Sequence, residues 1–339
     1  MNIQARRIFR LSAIPALALA VAYGLKMPLP FIAPLFAFMF AALPGAPMGA
    51  KSLFGLMLVV ILTCGVGLLL IPFLLHYQFT AILLVAVGLY FSAYQTVHMG
   101  KVLFGTFLTI GFTLISAAGT VSYSLAVMVI QSLVLGIGVA VLCQWIIYPW
   151  LPEDTVAEKP AFKNPDDSNW IALRSTAIVL PVYWLVLTNP AAYMALIMKA
   201  VLLGQQSSML DAKSAGRELL GSTFLGGVFA VFFWAVLSIS PNLWMFFLWM
   251  LLISLYFACK IYQLIATRYP ASFWLNVAMT MLIMLGPAVE DSAGGNDVYT
   301  AFFIRMGLFV GITLYAWLAL FLLEYLRAQR HQKKLSTPV

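Results

Sequence analysis

The sequence predicts an all-α, polytopic integral membrane protein with about 12 transmembrane helices, arranged as two parallel six-helix repeats. Three observations predict it. Of 339 residues, 63% are hydrophobic and 9% charged, far from the near-even apolar share and one-quarter charge of soluble domains. The apolar residues fall in runs long enough to cross a bilayer. Short motifs of the first half recur in the second at nearly constant spacing.

The first apolar run, residues 8–25, follows Arg6, Arg7 and Arg10 and contains Ala18-Leu19-Ala20, so it imitates a secretory signal peptide. Its echo deep in the chain argues that it is a retained helix. The second run, 29–46, carries Pro28, Pro30 and Pro34 at its start and ends at Pro44-Gly45-Ala46-Pro47. Runs at 53–75, 79–97, 102–118 and 122–149 complete a repeat over residues 1–150. Residues 151–169 form a polar linker. The second repeat, residues 170–326, has runs at 170–188, 190–207, 218–239, 242–259, 271–287 and 300–323, followed by a basic tail at 327–339.

The repeat rests on three matches. Lys51-Ser-Leu-Phe-Gly55 returns as Arg217-Glu-Leu-Leu-Gly221, and Leu89-Tyr90-Phe91 returns at the same offset as Leu255-Tyr256-Phe257. Arg10-Leu-Ser-Ala-Ile14 is echoed by Arg174-Ser-Thr-Ala-Ile178. Six is an even number of crossings, so both copies enter from one side and are related by an axis along the membrane normal.

With the N-terminus inside, sixteen Lys and Arg residues fall on the cytoplasmic side and only Lys26 outside. The positive-inside rule therefore predicts that both termini are cytoplasmic. The net charge of +8 is spread singly between apolar runs, a loop pattern that gives nucleic acid no continuous basic patch. Trp145, Trp150, Trp170, Trp244 and Tyr325, near helix ends, suit an interfacial belt.

Catalytic signatures are sparse, and no enzyme is expected. Gly45-Ala-Pro-Met-Gly49-Ala-Lys51-Ser52 resembles a phosphate loop but has the wrong spacing and lies between helices. His76, His98 and His331 are far apart, and Cys64, Cys143 and Cys259 show no ligand spacing, so no metal or cofactor is expected. Two ionisable residues fall inside runs, where burial is expensive and function is the default reading. Lys199 lies midway along 190–207 and is read as an anion contact. Gln205, Gln206 and Ser207, which end that run, would add uncharged hydrogen bonds. Arg305 is a further substrate-binding candidate, although its stem could carry it to the interface. The proline-interrupted second run and the run carrying Lys199 occupy corresponding positions, which points to a transporter binding site. The carboxylates are all placed in loops or at helix ends.

A duplicated six-helix unit, each copy opening with Arg and starting its third helix with Lys/Arg-x-Leu-(Phe/Leu)-Gly, resembles the fusaric acid resistance and aromatic acid exporter superfamily in a short, membrane-only form. The resemblance implies inner-membrane efflux of hydrophobic or aromatic organic acids, with a periplasmic membrane-fusion adaptor as partner. The alternative is a non-transporting scaffold subunit of an envelope complex; a lipid-acting enzyme ranks third. The helix-rich surface permits a homo-oligomer.

Overall fold

The computed structural model describes residues 3–43, 45–153, 167–207, 212–295 and 297–336. Among them the chain forms twelve helices and no strand. The first six are α1 (Ile3–Gly24), α2 (Ile32–Ala42), α3 (Ala50–His76), α4 (Gln78–Val97), α5 (Val102–Val121) and α6 (Tyr123–Ile147). The second six are α7 (Ser168–Thr188), α8 (Pro190–Ser207), α9 (Ala212–Leu237), α10 (Leu243–Ile261), α11 (Ala271–Ala293) and α12 (Val298–Ser336). Ten helices are long and apolar enough to cross a membrane; the other two, α2 and α8, are the second helix of each repeat. The protein is a polytopic membrane protein.

Local chemistry sets several boundaries. The Ser122 hydroxyl accepts from Leu125 N at 3.1 Å and starts α6; Asn242 Oδ1 accepts from Met245 N at 2.8 Å and starts α10. Such caps satisfy amide groups that a helix start leaves without partners. Within α5 the backbone widens to a π turn over Gly111–Ile115. α2 has only 11 residues, about 16 Å of rise, half of a hydrocarbon core. The rest of that crossing is irregular backbone, tolerated at depth where protein encloses it or where it lines a cavity.

The helices pack in corresponding pairs. α1 lies on α2, α2 on α6 and α3 on α5 in the first repeat; α7 lies on α8, α8 on α12 and α9 on α11 in the second. Across the interface α4 packs on α7 and α10 on α1, while α5 meets α8 and α11 meets α2. A two-fold axis exchanging the first six helices for the last six produces this pattern. Both repeats begin at one face: Gln4 Nε2 donates to the Tyr262 carbonyl at 2.7 Å, and Arg327 pairs with Asp167 at 2.5 Å. Leu58, Leu62 and Leu69 of α3 and Leu83 and Val87 of α4 are exposed, as lipid-facing positions should be.

Three expectations change. α11 continues through Pro287 to Ala293, past the expected end at residue 287, so Glu290 and Asp291 stand in its last turns. Proline removes one backbone donor, but membrane helices tolerate that where neighbours re-satisfy the backbone. α12 runs on to Ser336, past the expected end of that run at residue 323, so the basic segment from residue 327 continues the helix. Of the interfacial tryptophans, Trp150 and Trp244 are exposed, whereas Trp145 Nε1 donates to the Met48 carbonyl at 2.9 Å and Trp170 Nε1 to Glu324 at 3.0 Å. Those two indoles tie helix ends together.

Candidate functional site

A cavity of about 650 Å³ lies between the repeats toward the face opposite the termini. One wall comes from the first repeat: the connection from Met27 to Ile32, with Met128 of α6. The opposite wall comes from the second: Met194 and Met198 of α8, Pro287, Glu290 and Asp291 of α11, and Arg305 of α12.

The connection keeps the cavity open. After α1 the chain takes left-handed backbone at Lys26 (φ 51°) and Leu29 (φ 46°), costly for residues with a side chain. Pro28 and Pro30 restrict the residues between, so no helix forms until Ile32. Phe31 then packs on α11 at Gly286, where a Cβ would stand 2.2 Å from the ring; only glycine lets the two come so close.

All the charge is on the second repeat's wall. Arg305 Nη2 lies 2.6 Å from Asp291 Oδ2, with side chains 17% and 20% exposed. Arg305 Nη1 is buried with no hydrogen-bond partner, and Asp291 Oδ2, though in ion-pair range, is not aligned to accept. A buried, unmatched guanidinium N–H carries an unrecovered desolvation cost. The side chain as a whole lines the cavity, where its exposed part is open to an anion. Glu290 shares this wall and is exposed at the mouth.

Lys199 is fully enclosed, at 1% exposure, and its Nζ donates to Thr280 Oγ1 of α11 at 2.9 Å. It does not line the cavity; its neighbour Met198 does. Thr280 sits where Gly226 of α9 meets α11: a Cβ at Gly226 would lie 2.7 Å from Thr280 Cβ. Lys199 therefore ties α8 to α11 behind the cavity wall. Gln205, Gln206 and Ser207 end α8, but their side chains lie outside the described residues. So the structure gathers Arg305 with Asp291 and Glu290 at the mouth and separates Lys199 from them. Glu290 and Asp291 were missed because Pro287 looked like a helix end. The readable signal was an acidic pair one turn past that proline, with a lone arginine early in the next run.

Elsewhere side-chain hydrogen bonds cross the interface. The Tyr183 and Ser116 hydroxyls bond at 2.9 Å next to the π turn of α5; Tyr90 OH bonds Asn169 at 3.2 Å and His98 Nδ1 bonds Ser168 at 3.3 Å. At the terminal face Arg10, Gln144 and Tyr148 line a second cavity of about 340 Å³. Arg10 binds Glu153 there at 2.7 Å, and Arg7 binds the same carboxylate. Burial works to raise the Glu153 carboxyl, but hydrogen bonds and charge from Arg7 and Arg10 outweigh it and hold its pKa below the usual value. No group of three or more His, Cys, Asp or Glu that could hold a metal occurs among the described residues.

A family model described as a protein of unknown function (DUF2955) matches residues 7–147. That segment is nearly the whole of the first repeat, α1 to α6. No curated protein and no solved structure matches the chain.

Proposed function

We propose that the protein is an inner-membrane transporter that exports small hydrophobic or aromatic organic acids, with both termini in the cytoplasm. The observation that carries this reading is Arg305, which with Asp291 and Glu290 forms the charged wall of a cavity whose opposite wall is apolar, between two like-oriented repeats. Few convergent polar groups in an apolar cleft are the usual form of a small-molecule site. Repeat interfaces near broken helices are where transporters bind cargo. Arg305 receives the carboxylate, while the methionines and Phe31 hold the apolar body with adaptable, polarisable contacts. Lys199 positions α8 rather than touching cargo. Cation asymmetry supports the orientation; the exporter resemblance supports the outward direction and a periplasmic adaptor. The protein binds and moves its cargo without changing it chemically.

The test is accumulation of radiolabelled aromatic acids in cells lacking or expressing the protein. Wild type should lower accumulation, and Arg305→Gln should abolish that effect, a loss of about tenfold or more for one charge-assisted contact. Lys199→Met should retain it. No change in accumulation with wild type would favour the scaffold reading.

A further inference from the structure

The charges at the cavity mouth do not balance for a simple acid. Asp291 and Arg305 neutralise one another at 2.6 Å. Glu290, one residue along α11, lines the same cavity and has no ion-pair partner among the described residues. A plain organic anion bound to Arg305 would add a further negative charge beside Glu290. Like charges juxtaposed in a binding site are disfavoured.

We propose that the cargo is zwitterionic: an amphipathic amino acid or a close derivative, whose carboxylate meets Arg305 and whose ammonium meets Glu290. This inference rests on the reading of the cavity as a cargo site and narrows its substrate class. With such a ligand the mouth keeps the net −1 of Asp291, Arg305 and Glu290, where a plain carboxylate would make it −2, and each ligand charge stands beside an opposite one. Arg305 gains a second anion, Glu290 gains a cation, and the Asp291–Arg305 pair is kept. The apolar wall opposite, from Met27 to Ile32 with Met128, carries no charged side chain, so the ligand has one orientation: polar end to α11 and α12, apolar body to the first repeat. Glu290 thereby acts as a filter. It admits a carboxylate only when an ammonium accompanies it, and it disfavours dianions further.

Three probes of one skeleton separate the possibilities: phenylalanine, 3-phenylpropanoate and 2-phenylethylamine. Binding is measured by the thermal shift and by calorimetry of the full-length protein in detergent. Wild type should bind phenylalanine about tenfold or more tightly than either single-charge analogue. Glu290→Gln should remove that preference by weakening phenylalanine and strengthening 3-phenylpropanoate, and Glu290→Asp should restore part of it. Unchanged circular dichroism and an unchanged melting point without ligand show that the variant folds. If 3-phenylpropanoate binds wild type as tightly as phenylalanine, and Arg305→Gln weakens both, the zwitterion inference falls while the acid-binding reading stands. If Glu290→Gln leaves the ratio unaltered, the inference also falls. If none of the three binds, both fall.

Discussion

Arg10 with Glu153 and Arg174 with Glu324 are analogous pairs in the two repeats: at 2.7 Å, Arg10 of α1 meets a carboxylate just past α6, and Arg174 of α7 meets one within α12. Their surroundings differ. The Arg10 and Glu153 side chains are 3% and 2% exposed, whereas Glu324 is 31% exposed beside Arg174. The same pair is thus a buried clasp in one repeat and a half-solvated one in the other. The contrast recurs at the cavity, where the first repeat supplies an apolar wall and the second supplies Glu290, Asp291 and Arg305. Duplication preserved helix packing, and the two copies divided the chemistry.

The comparison breaks first at the clasps. Glu153→Gln leaves two arginines facing a neutral group in an enclosed site and should cost about 3 kcal/mol, read as a lower melting temperature in detergent. Glu324→Gln should cost about 1 kcal/mol or less, because water screens the exposed pair. Equal losses would mean that burial does not separate the two. Close helix packing comes next. A Cβ at Gly67 of α3 would lie 2.1 Å from the backbone oxygen of Gly111 in α5, whereas at Gly226 of α9 the nearest atoms are 2.7 and 2.8 Å away on α11. Gly67→Ala should therefore cost about 2 kcal/mol, and Gly226→Ala less, since the overlap at 2.1 Å is deeper than that at 2.7 Å. Titration gives the smallest effect. The folded-state pKa of Glu153 is depressed, so its contribution is complete at neutral pH and is lost as pH falls through the ordinary carboxylate range toward that lower value. Melting temperature should drop on the acid side, and Glu153→Gln should flatten that slope.

The buried interior of the second repeat shows where reading residues in order reaches its limit. Lys199 was legible as an unusual residue because a lone ammonium in an apolar run is rare at any depth. Its partner was not legible: Thr280 is 81 residues away, and an ordinary threonine in a helix gives no signal. Arg305 was legible for the same reason as Lys199, but the stem could have turned toward water or toward the cavity. Glu290 and Asp291 were hidden by a local rule, since proline commonly ends a helix in solution and is tolerated in a membrane bundle.

What the amino-acid order determined by itself is the class of solvent and the crossings. Hydrophobic run length decides residence in lipid, and recurrence of short motifs decides the duplication. Both are properties of neighbouring residues and need no knowledge of what lies across the bundle. Only the tertiary structure decided which polar groups meet, because each pairing depends on helix rotation and on close approaches through glycines such as Gly67 and Gly286. A rotation of one residue, about 100°, separates Met198 on the cavity wall from Lys199 behind it, and no composition or spacing rule resolves that angle.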